Sequence, residues 1–380
     1  MIDFDFQSRT RILFGENQID RLGELASEIG ARRALVVSDP GVVAAGHTQR
    51  GLDSLLRAGV QASLFDQLQE NPTTRDVEAG VQVARRHEPE LLVGLGGGSS
   101  MDCAKGINFI YSNGGKMRDY WGVGKALQPM MPMIAAPTTA GTGSEAQSFA
   151  LISDAETHVK MACGDKKAAC RLAILDPTLT VTQPAQVTAL TGIDALAHAV
   201  ETYVTKRRNA MSLTFSREAW RLLAENFPRV LQEPQNLEAR GAMQVGACLA
   251  GMAIENSMLG AAHALANPLT AAYGVVHGQA VGMMLPHVIR FNGQQFAPWY
   301  QDLASLLPEG CGFPATLDGL ADFVSSLAEQ AGLQLKLSAC GVEQDRLPQL
   351  AEEAAKQWTG TFNPREAAAA ELQQLYQQAF

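Results

Sequence analysis

The chain has 380 residues, enough for about two domains of ordinary size, and its 46 % apolar against 18 % charged residues exclude a disordered chain. Asp and Glu number 39 against 30 Lys and Arg, a net charge of −9, so no basic excess exists to hold nucleic acid or an anionic membrane by unspecific attraction. The six cysteines form no C-x-x-C pair and read as free thiols of a reducing compartment.

The opening Met-Ile-Asp-Phe-Asp-Phe is acidic and lacks a basic stretch before an apolar run, which argues against a secretory signal and for the cytoplasm. Ala34 to Ser38 is a short β-branched run ending at Asp39-Pro40-Gly41, and residues 48–58 then follow helical spacing. Val60 to Phe65 reads as a strand, Val77 to Arg86 as a helix, and Leu91 to Leu95 as a third strand running into Gly96-Gly97-Gly98-Ser99-Ser100. Met101 to Phe109 looks helical, and Met133 to Ala136 is a buried strand ending in Pro137-Thr138-Thr139. Strands alternating with helices predict a parallel sheet covered on both faces. After Asp176-Pro177-Thr178-Leu179-Thr180 the β-branched runs fade. Helical spacing takes over in Arg217 to Asn226, Leu237 to Met252, Leu317 to Ala331 and Arg365 to Gln378. The most membrane-like stretch, Ala247 to Leu269, is interrupted by Glu255, Asn256, His263 and Pro268 and reads as buried helix. An α/β domain over residues 1–182 and an all-α domain over 183–380 are expected.

Glycines between a strand and a helix let backbone approach a phosphate, and the helix N-terminus adds unpaired N–H groups. Gly97, Gly98 and Ser99 fit that use, with Asp102 in the first turn; an ordinary tight turn explains the run as well. Thr138, Thr139, Thr142 and Ser144 crowd four hydroxyls into one loop with Gly141 and Gly143, either a donor-rich binding loop or a solvated surface loop. Asp39 ends an early strand, where a carboxylate accepts from the ribose hydroxyls of NAD and repels the 2′-phosphate of NADP. It also suits the start of a Pro-Gly turn. Asp194 and His198 stand at i and i+4 in an apolar setting, so they share a helix face. Either a buried Asp–His hydrogen bond or a metal satisfies such a pair. His263 and His277 sit in similar apolar surroundings. Together the four make a nitrogen-rich set for a divalent first-row metal, Fe(II) or Zn(II). His47, His87, His158 and His287 lack this setting and read as structural or surface residues.

Taken together these motifs resemble the iron-containing (group III) alcohol dehydrogenase family over essentially the whole chain. The matching pieces are Gly96 to Lys105, Pro137 to Glu145, Asp176 to Thr180, the Asp194/His198 pair, His263, His277-Gly278 and Asn363-Pro364-Arg365. The resemblance implies a dinucleotide-binding α/β domain followed by an all-helical domain (the dehydroquinate synthase-like, iron-type alcohol dehydrogenase fold), with the active site in the cleft between them. It implies Asp194, His198, His263 and His277 as metal ligands and Asp39, Gly97, Gly98, Ser99, Asp102, Thr138 and Thr139 as NAD contacts. Thr142, Lys160 and Leu179 match further cofactor positions. It also implies a homodimer that moves hydride between NAD(H) and a small alcohol–carbonyl pair. A zinc-dependent polyol dehydrogenase like glycerol dehydrogenase, dehydroquinate synthase, and a non-catalytic nucleotide- or metal-binding homologue are the rival readings. Three positions depart from the family pattern: Asn267 replaces a histidine, Gln147 a threonine and Cys170 a proline. An amide is no general base near neutral pH, so bound water or a ribose hydroxyl is left to relay the proton.

Overall fold

The computed structural model describes residues 3–157 and 159–380; the expectation for His158 lies outside the described residues. The chain divides into two compact units. One comprises Gln7–Thr139 and Gly143–Gln183; the other comprises Pro184–Phe380, the described residues up to Phe6, and Ala140–Thr142.

The first unit runs β1 (Arg11–Phe14), α1 (Leu22–Ile29), β2 (Arg33–Val37), α2 (Pro40–Ala44), α3 (His47–Arg57), β3 (Gln61–Phe65), α4 (Thr74–His87), β4 (Leu91–Gly96) and α5 (Gly98–Asn113). It continues through β5 (Gly122–Val123), β6 (Met133–Pro137), β7 (Phe149–Ser153), β8 (Lys160–Gly164) and β9 (Leu172–Leu175). Six strands pair in parallel in the order β1-β9-β6-β4-β2-β3. Successive side chains of a strand face opposite ways, and the apolar runs use both sides. Leu35 and Val37 of β2 join a core with Val77, Val81, Ala104 and Ile107 of α4 and α5. Ala34 and Val36 join another with Leu22, Leu25 and Leu55 of α1 and α3. Each such fully buried leucine or valine contributes about 1.5–3 kcal/mol relative to exposure. A small second sheet, β5-β8-β7, stands apart from the strands read in the sequence. Its strands are short, two residues in β5 and five each in β7 and β8.

The second unit is helical: α6 (Ala185–Val204), α7 (Ala210–Gln232), α8 (Leu237–Asn256), α9 (Ala261–Tyr273), α10 (His277–Ala304), α11 (Leu317–Gln330), α12 (Leu347–Ala355) and α13 (Ala369–Gln378). The apolar stretch Ala247 to Leu269 is not one helix, as its composition suggests, but the end of α8 and the start of α9, bent by 102°. Among the described residues no single helix is long and apolar enough to cross a membrane. The last helix begins at Ala369 and not at Arg365, because Asn363 and Arg365 are drawn aside to α10. Asn363 exchanges hydrogen bonds with Asn292 at 2.8 and 2.9 Å, and Arg365 donates to the Phe291 carbonyl at 2.7 Å.

Candidate active site

Three helices of the second unit bring Asp194, His263 and His277 together, their ligand atoms within 4.8 Å of one another, and set His198 beside Asp194. Asp194 and His198 are one turn apart on α6, His263 lies in the first turn of α9, and His277 opens α10. The Nε2 atoms of His198, His263 and His277 lie 3.6, 3.4 and 3.8 Å from Asp194 Oδ1. The His198 and His263 rings stack with centroids 4.9 Å apart, and those of His263 and His277 stand 5.3 Å apart. Asp194, His198 and His263 are buried, while His277 keeps 31 % of its side chain exposed. The cluster therefore has one wetter side.

Among the described residues, two atoms at the centre of this cluster lack a hydrogen-bond partner. Asp194 Oδ1 and His263 Nε2 are buried and accept or donate no hydrogen bond. Burying polar atoms that way is costly unless another group completes them. The donor spacing suits a cation bound about 2.0–2.2 Å from imidazole nitrogen and carboxylate oxygen. Burial works to raise the Asp194 carboxyl, but the three imidazoles outweigh it and hold the carboxyl well below the usual carboxylate range. Burial pushes His198 down, with Asp194 opposing in part. Burial also works downward on His263, yet Glu201 and Asp194 overcome it and the ring is pushed up to about 9.

The loop marked by its hydroxyls contributes to the same unit. The Gly141 carbonyl lies 3.3 Å from His198 Nδ1. Only a glycine allows this approach, because a Cβ at Gly141 would stand 2.6 Å from Thr191 Cβ. Thr142 belongs to the same short segment.

In the first unit the glycine run opens α5. Gly97 is the N-cap and offers no side chain to the free N–H groups. Contrast α4, where Thr73 and Asp76 fill that place reciprocally. Gly96 has φ +154°, and a Cβ there would lie 2.3 Å from Ser100 Oγ and 3.0 Å from Asp39 Oδ2. Asp39 caps α2 through Val42 N at 3.1 Å and accepts from Ser100 Oγ at 3.0 Å, so it sits beside the glycine run. Thr138 N donates to the Gly96 carbonyl at 3.0 Å, and a Cβ at Gly97 would touch Thr139 Cγ2 at 3.3 Å. An uncapped helix start, close backbone and hydroxyls are the features that suit an anion.

Asp102 lies deeper. It accepts from Ser144 Oγ at 2.7 Å, and buried Lys105 donates to the Ser144 carbonyl and hydroxyl at 2.6 and 2.8 Å. Burial raises the Asp102 carboxyl against the opposing pull of Lys105. Its place is beneath the loop, as a brace. Lys160 is exposed and donates to Asn71 Oδ1 at 3.3 Å, while Asn71 N donates to Ser99 Oγ at 3.2 Å. Leu179 is buried in the core behind the sheet, in the turn Pro177–Leu179. The sequence patterns did not single out Asn71, which holds a left-handed φ of 54°, or Glu201, which is buried against His263. An acid seven residues after Asp194 in an apolar helix is the signal that marks Glu201.

The other histidines are elsewhere. His47 bonds Thr182 at 2.7 Å, His87 ends α4 exposed, and His287 lies mid-way along α10. Asn267, one turn after His263, donates to Gln357 Oε1 at 3.0 Å.

Residues 9–177 match the family model described as iron-containing alcohol dehydrogenase, and residues 188–380 match that of the family's C-terminal domain. The 1,3-propanediol dehydrogenase of Klebsiella pneumoniae is 35 % identical over 382 residues, covering 99 % of each chain. The NAD-dependent methanol dehydrogenase of Bacillus methanolicus is 32 % identical over 370 residues, covering 97 % of each. The crystal structure of a 1,3-propanediol oxidoreductase superposes with a TM-score of 0.95 at 34 % identity, covering 100 % of both chains.

Proposed function

The chain belongs to the iron-containing alcohol dehydrogenase family, and from that membership we propose how its own residues serve the reaction. The reaction is reversible hydride exchange between NAD(H) and a small alcohol–aldehyde or alcohol–ketone pair. The family's NAD and iron fit this chain better than the zinc-polyol or non-catalytic alternatives.

Asp194, His198, His263 and His277 hold the metal. The observation that carries this is the unsatisfied Asp194 Oδ1 with three imidazole Nε2 atoms within 3.8 Å. A divalent metal supplies Lewis acidity, which eases loss of an alcohol's proton and polarises a carbonyl. The chain's part is to hold Asp194 ionised and the imidazoles turned inward. The cradle at Gly97, Gly98 and Ser99, with Thr138 and Thr139, receives the cofactor's pyrophosphate, and Asp39 receives the adenine-side ribose. Thr142, Lys160 and Leu179 complete the cofactor contacts, and Asp102 braces the loop. Asn267 stays engaged with Gln357 and takes no proton, which leaves the relay to water or a ribose hydroxyl. The exposed edge of His277 is the side from which substrate arrives. Short primary alcohols and diols are the substrate class, in keeping with relatives named for 1,3-propanediol and methanol. We place the protein in the cytoplasm as a homodimer; its six free thiols suit that compartment.

The test is aldehyde-dependent NADH oxidation by chelator-stripped protein and by protein reloaded anaerobically with Fe(II). Activity is expected to vanish on stripping and return with iron. Full activity in stripped protein rules out the four-residue metal site.

A further inference from the structure

We propose that Glu201 is a positioning residue that selects the metal-binding tautomer of His263 and docks the helix that carries it. The inference rests on the reading that Asp194, His198, His263 and His277 hold a metal. Glu201 lies on α6, seven residues after Asp194 and three after His198, so all three share a face. It is buried. Its two oxygens do different things. Oε2 accepts from His263 Nδ1 at 2.6 Å, and Oε1 accepts from the backbone N–H of Ala262 at 2.7 Å.

The first contact decides chemistry. An imidazole that ligates a metal through one nitrogen carries its single proton on the other, and a carboxylate can only accept. Glu201 therefore keeps the proton on Nδ1 and leaves the Nε2 lone pair facing Asp194 Oδ1, 3.4 Å away. A carboxylate behind a histidine also makes the ring a more basic ligand. The second contact decides position. Ala262 N is one of the N–H groups that the start of α9 leaves without an intrahelical partner. A negative oxygen there is favoured by the helix dipole as well. Gly260 leaves the room: a Cβ at that position would stand 3.0 Å from Glu201 Oε1 and 3.0 Å from Asn363 Oδ1. Asn363 supports the same end through Ala261 N at 3.3 Å. One carboxylate thus ties the α9 start to α6 and aims the ring.

The site requires two acceptors on one side chain, and glutamine has one. In Glu201→Gln the amide either faces Ala262 N–H with a donor or turns its donor to His263 Nδ1. The second orientation moves the imidazole proton to Nε2 and blocks it as a ligand. Metal-free protein would be titrated with Zn(II) or Co(II) against a competing chelator. Glu201→Gln is expected to bind about 10–100-fold more weakly than wild type, with an altered Co(II) visible spectrum. Its circular dichroism and NADH affinity should stay those of wild type. Glu201→Asp keeps two acceptor oxygens and should recover part of the loss. Wild-type affinity and spectrum in Glu201→Gln overturn the proposal. Wild-type protein that binds no metal, or His263→Ala that binds like wild type, overturns the ligand set itself, a separate failure. If Glu201→Gln does not fold, nitrogen-15 NMR of Zn-loaded wild type decides. The proton of His263 is expected on Nδ1, and a bare Nδ1 overturns the proposal.

Discussion

Both carboxylate oxygens of Asp39 already accept a hydrogen bond from the protein, one from Val42 N and one from Ser100 Oγ. Each oxygen has two lone pairs, so the group still has capacity for ribose hydroxyls. Its charge is what discriminates against a 2′-phosphate. Asp39→Asn keeps an oxygen to cap α2 and removes the charge. We expect kcat/KM with NADPH to rise about tenfold, the equivalent of about 1.4 kcal/mol, with thermal stability little changed. Equal use of NADPH by the wild type shows that the carboxylate does not face the ribose. The thiols give a second residue-scale expectation. Burial pushes Cys163 up to about 12 and Cys170 to about 11, and raises Cys103 further still. A raised thiol pKa means a protonated, unreactive sulfur at pH 8, because the thiolate is the nucleophile. Cys248 is buried too, so an aromatic disulfide reagent should titrate only the half-buried Cys311 and Cys340 in the native protein, Cys340 the more slowly because burial raises its thiol as well. Fast reaction of more than these two thiols would show that the cores open readily.

At the scale of elements, the cluster depends on how closely α10 approaches α6. Gly278 follows His277 directly, and a Cβ there would stand 2.2 Å from the Leu190 carbonyl oxygen. That oxygen is backbone and cannot swing away. Gly278→Ala must shift the start of α10, and His277 with it. Overpacking of this kind costs about 1–3 kcal/mol. We expect a lower Tm and weaker metal binding together; a lower Tm with unchanged metal affinity would show that His277 moves independently of the contact. The pair Asp194/His198 was legible because α6 is continuous and helical spacing alone puts both on one face. The approach of α10 was not, since a lone glycine does not name its neighbour. Likewise the strands β4 and β6 announce themselves as apolar runs ending in glycine or proline, and β2 as one followed by Ser38-Asp39-Pro40. The β7–β8 pair does not: Phe149 to Ile152 is apolar but no glycine or proline ends it, and β8 is a short Lys160–Gly164 segment. The break between α8 and α9 was hidden by composition. Both sides are apolar, and Gly260 at the break seats against Glu201 and Asn363, residues 59 and 103 positions away in sequence.

For the molecule as a whole, chemistry-bearing residues are divided between the two units. Asp194, His198, His263 and His277 lie on α6, α9 and α10, and the glycine run with Asp39 lies in the α/β unit. A ligand stabilises the state it binds, by about 2.7 kcal/mol at 100 times its Kd. Exchange of amide protons resolves where that stabilisation falls, because each segment reports its own opening. Metal alone is expected to slow exchange by up to about 100-fold in α6, at the start of α9 and at the start of α10. NADH alone should slow it at the start of α5 and after β6. The strongest check is the crossed comparison. If metal protects the start of α5 as much as α6 in the absence of NADH, then one ligand does not belong to each unit. The assignment read from the sequence, phosphate-binding residues before residue 183 and metal-binding residues after it, would then have to be abandoned.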